Sequence, residues 1–159
     1  TMTGFERWSI GITSAVVTVS GTLYLWVKYC LTPMDPFSVI NHPLQPVLLQ
    51  VHLLSGPPLI LLFGMILQSH ILKKNRAGLR PNRRTGLVAL WMFGVMTMSG
   101  YGLQVLTVPA SITVVVWLHV GSGMAFVSSY VAHLAISLRL SAASHDGVVK
   151  PNRLVSSAR

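Results

Sequence analysis

At 159 residues, with 52% hydrophobic and 9% charged side chains and a mean hydropathy of +0.61, the chain cannot form a water-soluble globule without exposing large apolar patches. The formal charge of +9 does not indicate a nucleic-acid binder: six of the twelve basic residues lie between Lys73 and Arg84 and four more from Arg139 onward, at helix ends and not interleaved with aromatics on one face. No Asp, Glu, Lys or Arg occurs from Trp8 to Val27, from Pro36 to Leu72 or from Thr85 to Leu138, and since a bilayer core needs about 20 apolar helical residues, these gaps hold one, one and two spans.

The first predicted helix covers about residues 8–29. Its apolar stretch is longer than a signal-peptide core and ends in Lys28-Tyr29-Cys30 without a small-residue cleavage site, so it reads as a retained anchor. Gly11, Ser14, Thr18 and Gly21 form a small-residue stripe suited to close helix approach. Cys30 reads as an apolar filler, because no CxxCH motif accompanies it. In the outer connection, Pro33, Pro36, Pro43 and Pro46 resist a continuous helix. The second helix covers about 47–72, with Pro57-Pro58 expected to interrupt and kink it.

The loop KKNRAGLRPNRRT follows, with Thr85 as the expected N-cap of a third helix over 86–106. Gly94, Gly100 and Gly102 give that helix narrow places, and Pro109 marks a tight turn. The fourth helix covers about 111–138, and residues 139–159 read as a short, polar, mobile tail. The expected architecture is therefore an all-α membrane protein: an up-down-up-down bundle over 1–138 and a tail over 139–159. By the positive-inside rule, the 73–84 loop, the tail and the N-terminus face the cytoplasm.

Ionisable groups inside a membrane are expensive and usually functional, which singles out the histidines of helices two and four. In an up-down-up-down bundle these helices run in the same direction. His52 and His119 then lie toward the outer surface, and His70 and His133 toward the cytoplasm. On an ideal helix His119 and His133 are about 21 Å apart and about 40° around the axis, while His52 and His70 are about 27 Å apart and nearly in register. A faint repeat, HxxSG, occurs at His52 and again at His119, 67 residues later.

Two imidazoles on parallel helices suit both axial positions of a haem iron, whereas zinc wants four converging ligands, and neither helix has a carboxylate or thiol. The expected metal ligands are thus His52 with His119 for an outer haem b and His70 with His133 for an inner one. Gly56 and Gly123, each four residues after a histidine, are expected to leave room for a porphyrin edge. Arg80, Arg83 and Arg84 are candidates for the inner haem propionates, although fixing topology explains them equally well. Asn41, Gln50 and Lys28 are the outer counterparts. Trp91, Trp117 and Tyr130 are candidates to pack on porphyrin faces or to serve as plain core and interface anchors. His42 is an alternative to His52 should the outer segment fold inward, and His145 sits in a polar segment.

The fourteen-residue separation of His119 and His133, paired with two histidines on another helix, resembles the transmembrane cytochromes b, including the quinol-linked dihaem subunits of respiratory complexes. The resemblance covers about residues 47–138. The eighteen-residue spacing of His52 and His70 departs from the stricter members, and no quinol-site motif is recognisable. It implies a bacterial inner-membrane protein with two stacked haems that pass electrons across the bilayer. The implied partners are other subunits of a membrane redox complex, quinone and a periplasmic cytochrome. Two other classes stay open: a structural subunit built on the small-residue stripes, and a small transporter using the histidines as a proton relay.

Overall fold

The computed structural model describes residues 3–33, 35, 37–67 and 83–148. It is an all-α membrane protein, and the described residues form four long helices: α1 (Gly4–Cys30), α2 (Gln45–Ile66), α3 (Arg83–Val105) and α4 (Pro109–Val148). All four are long and apolar enough to cross a bilayer. The chain divides into two compact units, residues 1–78 and 79–159, and each is an antiparallel helical hairpin.

In the first hairpin α1 starts a turn before its apolar stretch. The Thr3 hydroxyl accepts from the Glu6 amide at 3.2 Å, and the Thr3 amide donates to the Glu6 carboxylate at 2.7 Å, a capping box that satisfies two orphan donors. At the other end, Asn41 Nδ2 donates to the carbonyls of Lys28 at 2.8 Å and Val27 at 3.4 Å, which have no partner further along the helix. Leu44 is the N-cap of α2, and Pro46 falls in the first turn, where a missing N–H costs nothing.

Pro57 and Pro58 lie inside α2, which stays helical across them from Gln45 to Ile66. The expected interruption is therefore absent: proline removes a donor and crowds the carbonyl four residues back, a local defect that flanking turns carry through. The expected end of this helix at residue 72 lies outside the described residues.

In the second hairpin two boundaries differ from expectation. α3 begins at Arg83, so Thr85 is inside the first turn and is not the N-cap. A β-branched hydroxyl residue suits a cap, but here its Oγ1 has a partner on α4, 3.2 Å away. α4 runs to Val148, so residues 139–148 of the expected tail are helical. A helix need not stop where charge resumes, and no glycine interrupts the segment until Gly147.

The seam of the second hairpin has a seven-residue repeat. Gly86, Phe93 and Gly100 on α3 meet His133, Phe126 and His119 on α4. This is the interval that keeps one helical stripe facing a partner, drifting only about 20° per repeat. The Phe93 and Phe126 ring centroids lie 5.5 Å apart, and Phe126 is only 2% exposed. Burial between helices gains little over burial in lipid, so this seam holds through close packing and interhelical hydrogen bonds.

Candidate functional site

Three histidines sit on glycines of the helix that precedes them. A Cβ built on Gly21 would lie 2.7 Å from His52 Cε1 and 2.8 Å from its Nδ1. One on Gly100 would lie 3.0 Å from His119 Cε1, and one on Gly86 3.2 Å from His133 Cε1. Each imidazole thus rests on bare backbone, most closely at Gly21, where an added Cβ would force something to shift.

The glycine also opens the carbonyl one turn back. His52 Nδ1 donates to the Val17 carbonyl at 3.0 Å, four residues before Gly21. His119 Nδ1 donates to the Met96 carbonyl at 2.9 Å, four residues before Gly100, with Ser99 Oγ at 3.3 Å. His133 Nδ1 lies 3.2 Å from Thr85 Oγ1, beside Gly86. A carbonyl only accepts, so in His52 and His119 Nδ1 carries a proton.

The local sequence that builds these seats occurs twice. Val16-Val17-Thr18-Val19-Ser20-Gly21 on α1 matches Val95-Met96-Thr97-Met98-Ser99-Gly100 on α3, 79 residues later. In both copies the serine turns its hydroxyl back into its own helix: Ser20 to the Val16 carbonyl at 2.7 Å, and Ser99 to the Val95 carbonyl at 2.7 Å. The HxxSG segments behave alike. Ser55 donates to the carbonyls of Val51 at 2.6 Å and His52 at 3.1 Å, and Ser122 to those of Leu118 at 2.7 Å and His119 at 3.2 Å. Each hairpin therefore carries one copy of the same unit, a glycine seat on its first helix and a histidine on its second.

His52 and His119, each taken within its own hairpin, share one feature with an axial haem ligand. An iron-ligating histidine is neutral, presents one nitrogen lone pair, and has its other N–H fixed by a carbonyl or carboxylate that orients the ring and raises its basicity. His52 and His119 meet the last of these, since each has its Nδ1–H on a main-chain carbonyl. Among the described residues no three His, Cys, Asp or Glu side chains gather into a group that could hold a metal ion.

The remaining candidates fall as follows. His70 and Arg80 lie outside the described residues. Arg83 opens α3, and Arg84 is exposed in its first turn. A Cβ at Gly56 would meet no described atom within 4 Å, and one at Gly123 would meet Met96 Sδ at 3.6 Å, so Gly123 serves the contact between α3 and α4. His42 Nδ1 accepts from the Leu44 amide at 3.1 Å, a loop turn. Asn41 caps α1, Gln50 is exposed, and Lys28 Nζ lies 5.5 Å from the Tyr24 ring centroid and 5.7 Å from that of Tyr29. Trp91 and Trp117 are exposed, and Tyr130 stacks on Phe126 at 6.0 Å.

Gly21, Gly86 and Gly100 were not singled out by sequence reasoning as seats for histidines. The V-x-T-x-S-G repeat was the available signal. The chain matches no protein-family model, no curated protein and no solved structure.

Proposed function

We propose that the chain is a dihaem b-type cytochrome of the bacterial inner membrane, with both termini cytoplasmic. It carries electrons across the bilayer as a subunit of a larger redox complex and exchanges them with quinone or a periplasmic cytochrome. The observation that supports this reading is the repeated half-site: His52 and His119, one in each hairpin, are glycine-seated imidazoles with Nδ1–H given to a main-chain carbonyl. The outer iron is assigned to this pair, and the inner iron to His133 with His70.

Haem b, when bound, would supply a one-electron iron couple. The chain's own residues fix the imidazoles. The Val17 and Met96 carbonyls hold a proton at Nδ1 and orient the rings, and Nε2 would be the atom that meets the iron. Gly21 and Gly100 admit the rings, and the absence of charged side chains from Trp8 to Val27 and from Thr85 to Leu138 keeps competing ligands and fixed charges away.

A reduced-minus-oxidised spectrum of the purified protein, with pyridine haemochrome quantification, tests the reading. The expected result is a b-type spectrum with two haems per chain. A colourless protein would overturn it in favour of a structural subunit in which each histidine clasps its own hairpin, a reading that the intrahairpin Nδ1 contacts also support.

A further inference from the structure

We infer that the outer loop between α1 and α2 lies in the lipid headgroup region, with Phe37 and Val39 inserted among the acyl chain ends, so that the loop is a membrane-binding element and not an aqueous docking surface. This inference stands independently of the haem assignment.

The loop is apolar at its most exposed points. Phe37 is 93% exposed and Val39 95%, with Ile40 beside them also exposed. Residues 29–47 hold no Lys or Arg, and the Asp35 carboxylate is engaged in the turn, accepting from the Phe37 amide at 3.0 Å. A soluble redox partner is usually steered by a charged rim, and Asp35 is the single charged side chain between residues 29 and 47.

Several of its described polar groups are satisfied locally. The Ser38 amide donates to the Asp35 carbonyl at 3.0 Å, the Ile40 amide to Ser38 Oγ at 3.3 Å, and the Ser38 hydroxyl to the Ile40 carbonyl at 2.8 Å. Non-helical backbone is tolerated close to lipid only when its donors and acceptors are used in this way.

Its depth is fixed at both ends. Asn41 is held to the Lys28 carbonyl at 2.8 Å, so the loop leaves and rejoins the structure at the level of Lys28. That level carries exposed Trp26 and Tyr29, with the Lys28 ammonium against the rings of Tyr24 and Tyr29, the composition of a membrane-interface belt. Phe37 is four residues from Asn41, a reach of at most about 14 Å. The apolar loop is thus continuous with the lipid-facing surface of its own hairpin.

The test uses the full chain in phosphatidylcholine vesicles. Phe37→Cys and Val39→Cys, made singly in a Cys30→Ser background because Cys30 is itself exposed, are labelled with a nitroxide, and collision rates with oxygen and with a water-soluble nickel chelate are compared. Oxygen is expected to exceed nickel several-fold at both sites, as at the exposed α2 residue Leu61→Cys, which serves as the lipid reference. Nickel exceeding oxygen would put the loop in water, and suppression of both would put it against protein; either result overturns the inference. Two loop sites are used so that one poorly folding variant leaves the other to decide.

Discussion

The imidazole of His52 lies so close to Gly21 that a methyl group at position 21 would fall 2.7 Å from Cε1, a distance no packed carbon tolerates. Gly21→Ala therefore moves the ring or parts α1 from α2. Alanine is the better helix former by about 0.8–1 kcal/mol, so the helix itself does not suffer. The expected outcome is a protein that inserts normally and holds one haem per chain where the parent holds two. Gly100→Ala, with its nearest contact at 3.0 Å, is expected to retain more of the outer haem. Pyridine haemochrome on both variants checks this, and full occupancy in Gly21→Ala would show that the seat does not position a ligand.

The three imidazoles differ in what faces Nδ1, and the difference is measurable. Ser99 Oγ is a secondary neighbour of His119 at 3.3 Å, behind the Met96 carbonyl at 2.9 Å. Thr85 Oγ1 is the hydroxyl 3.2 Å from His133. Interhelical hydrogen bonds in membranes contribute about 0.6 kcal/mol each. Thr85→Val, which keeps the shape and removes the hydroxyl, is expected to shift the midpoint potential of the inner haem more than Ser99→Ala shifts that of the outer one. Potentiometric titration of the two haems decides the order, and equal shifts would make the hydroxyls interchangeable.

Phe126 occupies the seam midway between His119 and His133, packed on Phe93 at 5.5 Å and 2% exposed. Phe126→Ala is expected to destabilise the second hairpin by removing interhelical packing contacts, and Phe126→Leu, which keeps more of the volume, to destabilise it less. Because both glycine seats of that hairpin lie one repeat away, the alanine variant is expected to lower occupancy of both haems together. Denaturant titration followed at the Soret band measures this. Loss confined to one haem would show that the two seats are mechanically separate.

The four spans were legible in the sequence because they follow from solvation: charge is excluded from the bilayer. The glycine seats were not read, because the search for space near His52 and His119 stayed on the same helix, at Gly56 and Gly123. The close approach runs between helices, and the pairing of Gly100 with His119 follows only once the seven-residue seam of α3 and α4 is known. Thr85 was misplaced for a related reason. Its hydroxyl suits a helix cap, and nothing local reveals that a histidine 48 residues away lies within reach of it. Thr3 and Glu6 spelled a capping box, but α1 was expected to begin only where the apolar run does.

Substituting the histidines singly separates electron carrier from scaffold. His119→Ala is expected to remove the outer haem and leave the inner one, and His133→Ala to do the reverse, whereas His42→Ala leaves both, since its Nδ1 is engaged in a loop turn with the Leu44 amide. A purely structural role predicts a different pattern. There each alanine variant weakens its hairpin by roughly the value of one membrane hydrogen bond, about 0.6 kcal/mol, and no visible absorbance is present to lose. Asparagine sharpens the contrast, because His119→Asn keeps a side-chain N–H donor for the Met96 carbonyl but offers no imidazole to iron. Retained hairpin stability with a lost outer haem in that variant is expected of a ligand, and an unchanged optical spectrum would remove His119 from the iron.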